Sequence, residues 1–459
     1  MALKNVLFLH GYSETSLGAY YNFPQRLQTR IPALESIVVS AFESLDDTVT
    51  IDDLAAALED KVQSLEKNRG WKMNETAVIC HSTGALVARR WIVTRALKDG
   101  EAAKLPSHFI TMAGANHGSS LAQIGRSAVG YLQKFLLKHG ATVGARVLID
   151  LDYGSHFLVR LNSQWLELMG KPPLSSTFLF SMGGATTGGD RLMQLFWPTK
   201  EPGSDNTVRI SGANLNYTIL EADPAANPPV FTIMSSAEAV PHLVLPDYSH
   251  YGPATGIWGF NRDPDEAIDA AVEALKVADA GDYTDVLTSW TAKTNAWAKK
   301  ADRAHVNSTV VFKVTERSGA PVDDCLIIFL DKKMAANDRI AAQASASDAA
   351  VPGTPFPIQN NADLASYSFY LNYDQYMKSS PHMIHIEAHN PSPLINYNVV
   401  DYDTPAPNDP SVHLIRPNEF TYVKVALARD TDAAYAMYQW GPHLDLSNWL
   451  PFPPGGLIP

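Results

Sequence analysis

The stretch VICHSTGALVARRW, residues 78–91, sets Ser82 among small residues where an apolar run passes abruptly into a helical pattern. A serine at such a point has two readings. It can be an ordinary helix cap, or a nucleophile held out on a strained strand-to-helix turn of the G-x-S-x-G kind. In the second reading the helix N-terminus faces the charge that develops on an attacked carbonyl. Gly84 fills the last motif position, and Cys80 stands where the first glycine belongs. A nucleophilic serine also needs a histidine to take its proton, an acid to fix the histidine tautomer, and amides to hold the oxyanion. VLFLHGY, residues 6–12, reads as a strand ending in His10-Gly11-Tyr12, where glycine admits close approach and the Tyr12 amide can donate beside that of Thr83. GSDNTVRISGANL, residues 203–215, offers Asp205 in a turn, and DYSHYG, residues 247–252, offers His250 just before Gly252. Ser82, Asp205 and His250 thus follow one another as nucleophile, acid and base.

The elements around these residues alternate. NVLFL (5–9), SIVVSAF (36–42), ETAVIC (75–80) and HFITMAG (108–114) are apolar and β-favouring, as strands buried on both faces of a parallel sheet are. TIDDLAAALEDKVQSLEK is a helix capped by Thr50, and ALVARRWIVTRAL is a second helix. The fold class is therefore α/β. From about 119 to 196 the amphipathic runs AVGYLQKFLLKHG and SHFLVRLNSQWLELMG break the rhythm. They are expected to form a helical cap over the pocket, with Leu158, Leu161 and Trp165 contacting an acyl chain or packing cap against core. TFLFSMGG is strand-like, RISGANL has a strand-like run, and PVFTIMS with the segment around His250 should restore the alternation. EAIDAAVEALKVA and a Thr/Trp-rich stretch ending near Ala301 read as helices. From about 303 the chain changes to alternating β runs and Pro/Asn/Asp-rich loops, with SYSFYLNY, MIHIEAHN and FTYVKVALA as strands of a smaller β-sandwich. The expected domains are 1–302, catalytic, and 303–459, accessory. The aromatics of the second serve either as sandwich core or as a surface that docks a partner, glycan or lipid.

Composition narrows the function classes. With 36 Lys+Arg against 48 Asp+Glu the net charge is −12, and no basic cluster breaks the acidic balance, which excludes nucleic acid as the main partner. The cysteines, Cys80 and Cys325, have neither metal-site spacing nor the number of a disulfide framework, so a reducing compartment is expected and neither a metal nor a cofactor is called for. The N-terminal apolar run is too short for a signal peptide, and no segment reaches the roughly 20 apolar residues of a membrane span. The expectation is a protein cytoplasmic as made, with signal-independent export as the alternative, and contact with a membrane only at its surface.

Over residues 1 to about 300 the chain resembles a lipase/esterase of the α/β-hydrolase superfamily. The resemblance is carried by VLFLHGY, CHSTGALVARRW, TMAGANHGSSLA, DLDYGSHFLVRLN, GSDNTVRISGANL and DYSHYG. Bacterial triacylglycerol lipases and their relatives have a comparable set: His-Gly after the first strand, an elbow, a T-P-H-x-G-like stretch and an S-D-G-x-V acid loop. The resemblance implies ester hydrolysis at Ser82, with Asp205 as acid and His250 as base, on lipids or lipid-like esters. Cys80 departs from the pattern, and so does Asn206, which stands where glycine is common but tolerates the same turn. The resemblance does not extend to residues 303–459.

Other residues compete for these roles. His81 neighbours the serine and should point away from it. His117 is expected to line the pocket entrance. Asp247 is the alternative acid and His242 the alternative base, though its VPHLVLP setting lacks a glycine-flanked loop. Asp150 and Asp152 read as helix ends. His382, His385 and His389 invite a metal reading that only Glu387 would support, and solvated β-face histidines are the better account. Phospholipase, amidase and thioesterase chemistry would use the same triad. An antibacterial lipase effector and a non-catalytic binding protein with a hydrolase fold are the remaining alternatives.

Overall fold

The computed structural model describes residues 3–431 apart from 13–16, 120–121, 123–143, 187–200, 224–229, 237, 260–263, 301–305, 332–357, 361, 379–380, 390–394 and 404–412. The chain opens with β1 (Asn5–Leu9), buried throughout, then α1 (Phe23–Arg30), β2 (Ser36–Ser40) and α2 (Ile51–Arg69). Thr50 caps α2 in a reciprocal capping box with Asp53, and Gly70 ends it at φ 67, the left-handed region that glycine enters without strain. β3 (Thr76–His81), α3 (Gly84–Asp99) and β4 (His108–Met112) follow, then α4 (Ala145–Leu151), α5 (His156–Leu168) and β5 (Phe178–Gly184). After α6 (Ile210–Ala213) come β6 (Tyr217–Asp223) and β7 (Val230–Ser235), and the chain returns as β8 (His242–Leu245), α7 (Glu266–Leu275) and α8 (Ala280–Ala298).

The first sheet has the order β2-β1-β3-β4-β5-β8, and every pair in it is parallel. One face packs on α2, α3 and α5 through Leu58, Val62, Leu86, Trp91, Leu158 and Trp165. The other packs on α1, α7 and α8 through Phe23, Leu27, Ile268, Ala271 and Trp290. Helices on both faces leave the inner strands β1, β3 and β4 no solvent side, which is why their sequences run largely apolar.

Where the expected rhythm resumes, the structure departs from it. PVFTIMS does not return to the first sheet: β7 pairs antiparallel with β6, and both belong to a second, six-stranded sheet. β6 is buried on both faces, with Tyr217 and Ile219 in the hydrolase core and Leu220 and Ala222 in the sandwich core. Its residues therefore look like those of any parallel-sheet strand. RISGANL, read as strand-like, contains α6, and the strand that completes the first sheet is the four-residue HLVL of β8. AVGYLQKFLLKHG lies outside the described residues.

The second unit is the β-sandwich expected from the alternating runs. Its strands are β9 (Asn307–Glu316), β10 (Cys325–Asp331), β11 (Ile358–Gln359), β12 (Ser366–Asn372), β13 (Pro381–Ala388), β14 (Ile395–Tyr397), β15 (Val400–Asp403), β16 (Phe420–Leu427) and β17 (Arg429–Thr431). The six-stranded sheet faces the sheet β10-β13-β15 across Phe312, Val314, Phe329, Phe369, Ile384 and Val400. The sandwich draws β6 and β7 from before residue 303, so the two units share backbone pairing as well as side-chain contact.

Candidate active site

The loops that bring the site together leave the carboxyl ends of β1, β3, β5 and β8, the edge at which open parallel sheets bind ligands. Ser82 sits between β3 and α3 at φ 52, a left-handed conformation that costs a non-glycine residue about 1–3 kcal/mol. Its carbonyl accepts from the amides of Ala85 and Ala115, both at 3.1 Å, which hold the strained turn. A Cβ on Gly84 would fall 2.4 Å from the His10 carbonyl oxygen, so the turn admits no side chain there. Cys80 lies within β3, in register between Leu9 and Thr111, and burial pushes its thiol well above the ordinary range. The departure at the first motif position is absorbed as core packing.

The turn after β1 lies against the serine. A Cβ on Gly11 would stand 2.7 Å from Ser82 Cβ, 3.2 Å from Ser82 Oγ and 3.1 Å from Tyr251 Oη. His10 donates from Nδ1 to the Gly11 carbonyl at 2.7 Å and accepts at Nε2 from the Phe42 amide at 3.0 Å. One donor and one acceptor require a neutral ring, consistent with burial lowering its pKa, and the ring stacks on Phe42 at 4.3 Å. The Tyr12 phenol, raised to about 12 by burial, packs beside Gly144. Thr83 has helical angles of φ −59 and ψ −28 and opens α3, where the first amides have no intrahelical partner.

His250 and Asp205 form a buried pair, with His250 Nδ1 donating to Asp205 Oδ2 at 2.8 Å. Asp205 Oδ1 accepts from the amides of Thr207 at 3.0 Å and Val208 at 2.7 Å, and the Asp205 carbonyl accepts from the His250 amide at 3.0 Å. Asn206 takes φ 81, the conformation for which acid loops otherwise use glycine. His250 Nε2 is buried and has no hydrogen-bond partner among the described residues. The His250 ring lies 4.6 Å from His81 and 4.6 Å from Tyr251. His81 is a brace that spacing did not reveal: its Nε2 donates to the His250 carbonyl at 3.2 Å, while burial and the neighbouring His250 hold its pKa well below the usual histidine range. Asp247 is exposed, whereas Asp205 lies beneath the imidazole. His242 bonds Ser181 Oγ through Nδ1 at 2.9 Å, and burial pulls its pKa to about 3.

The other expected residues make contacts of their own. His117 is fully buried, stacked on Phe420 at 4.7 Å and bonded through Nε2 to the Asn214 carbonyl at 2.9 Å; it joins the two units instead of lining an entrance. Leu158, Leu161 and Trp165 are each 0% exposed and pack among Trp91, Tyr217 and Tyr422. A cation that the motifs did not flag shares this core: Arg89 donates to the Asn116 carbonyl at 2.6 Å and to Asn162 Oδ1 at 2.8 Å, 4.7 Å above the Trp165 ring. Asp150 accepts from the Ile51 amide at the start of α2, and burial raises it to about 6. His385 bonds Asp401 at 2.7 Å, and among the described residues no group of three or more His, Cys, Asp or Glu could hold a metal ion.

No family model and no curated protein sequence matches the chain. Among solved structures, phospholipase PlaB from Legionella pneumophila superposes with a TM-score of 0.79 at 24% identity, covering 97% of both chains. The same phospholipase in complex with thio-NAD superposes with a TM-score of 0.79 at 23% identity, covering 96% of this chain and 97% of that one. The chain has the α/β-hydrolase fold, extended by a β-sandwich. The likeness to PlaB spans both units, so the sandwich is part of the shared architecture.

Proposed function

We propose that the protein hydrolyses carboxylic esters of lipids through an acyl-enzyme on Ser82, with His250 as base and Asp205 as its orienting acid. The observation that carries this reading is a buried Asp205–His250 pair, bonded at 2.8 Å, at the same sheet edge as a serine held at φ 52. With Nδ1 committed to Asp205, the His250 lone pair at Nε2 is free to accept a proton. Closure of the Ser82 Oγ–His250 Nε2 contact on substrate binding would let His250 remove the serine proton as Oγ attacks the ester carbonyl. The Tyr12 and Thr83 amides are proposed to hold the resulting oxyanion. Collapse expels the alcohol, which takes the proton from His250 and leaves an acyl-serine. Water, deprotonated by the same imidazole, then releases the acid and restores the enzyme.

The substrate class proposed first is phospholipid, because a structural neighbour that spans both units is named a phospholipase. Turnover of p-nitrophenyl esters of increasing chain length, run beside phosphatidylcholine vesicles, tests the activity and its class together. Ser82→Ala should lower turnover on the order of a thousandfold or more while the fold persists. Undiminished hydrolysis by that variant would remove Ser82 from the mechanism, and inertness of the unaltered protein toward every ester would favour a binding protein on a hydrolase fold.

A further inference from the structure

We infer that the β-sandwich supplies part of the catalytic machinery: Tyr370 and Asn307 are positioning residues that hold the loop carrying Asp205. The inference rests on the reading of Asp205 as the triad acid. Tyr370 lies on β12 and Asn307 begins β9, both in the second unit. Tyr370 Oη donates toward two carbonyls of the acid loop, Pro202 at 2.5 Å and Gly203 at 3.1 Å. Asn307 Nδ2 donates to the same Pro202 carbonyl at 3.2 Å. Gly203 is at φ 74, and a Cβ there would fall 2.6 Å from Asn307 Nδ2 and 2.7 Å from Tyr370 Oη, so glycine supplies both the turn and the close approach.

The far end of the loop meets the same ring. Arg209 Cζ sits 4.0 Å from the Tyr370 ring centroid and 4.7 Å from that of Tyr153. Its Nε and Nη2 reach Glu201 Oε1 at 3.0 and 2.6 Å, which closes the loop end to end. The Ile210 amide donates to the Gly203 carbonyl at 2.9 Å, and Ser211 Oγ meets Thr309 Oγ1 of β9 at 2.8 Å. Asp205 is therefore carried on a short loop that Glu201 and Arg209 close, and whose Pro202 and Gly203 carbonyls, Arg209 guanidinium and Ser211 hydroxyl are fastened to the sandwich. Burial, with the charge of Glu201, pushes the Tyr370 phenol well above its ordinary range, so the hydroxyl remains a protonated donor.

A hydrogen bond that aims the acid acts on the imidazole and not on the ester, so its loss should appear in kcat and leave KM in place. Tyr370→Phe removes the hydroxyl and keeps the ring on Arg209. In the full-length protein, kcat, KM and the rate of Ser82 labelling by a fluorophosphonate are measured for Tyr370→Phe, Asp205→Asn and the double variant, beside melting temperatures. The expected result for Tyr370→Phe is a fall in kcat and labelling rate on the order of tenfold at unchanged KM, with no further fall in the Asp205→Asn background. Asn307→Ala should shift both readouts in the same direction by less. Unaltered kcat in Tyr370→Phe beside a crippled Asp205→Asn would overturn the clamp alone. The same multiplicative loss with and without Asp205 would overturn it too, since the effect would not run through the acid. A silent Asp205→Asn would bring down both the clamp and the triad reading on which it rests.

Discussion

At the residue scale, the site turns on which carboxylate faces His250. Asp205 is 1% exposed, and its two oxygens are divided between the imidazole and two backbone amides, so its position is determined from both sides. Asp247, three residues before the histidine, is exposed on the turn. Asp205→Asn should lower kcat on the order of a thousandfold, because an amide can hold the wrong imidazole tautomer. Asp247→Asn should stay within a few-fold of the unaltered protein, and the reverse pattern of losses would move the acid to Asp247. The chain itself makes Ser82, Asp205 and His250 conspicuous, because each sits in a short stretch of small or turn-forming residues whose purpose is backbone geometry. The brace from His81 to the His250 carbonyl is invisible at that range, since its partner lies 169 residues away. Tyr370 and Arg209 are hidden for the same reason.

At the element scale, the strands and helices of the first sheet were legible wherever periodicity and a cap agreed. α2, with its Thr50–Asp53 capping box and its stripe of Leu54, Leu58, Val62 and Leu65, is the clearest instance. β7 misled because an apolar run says that a strand exists, not which sheet receives it. α5 was legible as an amphipathic helix, but amphipathicity does not say whether the apolar face meets substrate or core. Its buried residues meet α3 and the rings of Tyr217 and Tyr422. Leu161→Ala should therefore destabilise the fold by about 2–5 kcal/mol, as buried leucine truncations do. Activity per folded molecule should keep the same acyl-chain-length profile, measured by denaturant melts beside the ester series. A selective loss on long chains would return α5 to the substrate pocket.

At the scale of the whole molecule, the hydrolase sheet and the sandwich form one structure in which neither unit is closed without the other. β6 runs parallel to β16 over Tyr217–Ala222 and Phe420–Val425, while Phe420 and Tyr422 complete the core beneath α3 and α5. His117 is clasped between them, and Asn162 donates to Tyr422 Oη at 2.8 Å. A boundary drawn near residue 303 marks a change of composition, whereas the hydrogen bonds run across it. The proposed chemistry converges on one atom, Ser82 Oγ. The most direct measurement is labelling of the full-length protein with a fluorophosphonate, followed by peptide mapping of the adduct. The expected result is a single phosphonylated site at Ser82, lost in Ser82→Ala and strongly slowed in His250→Ala. An adduct mapped to another residue, or equal labelling of the protein without Ser82, would contradict it.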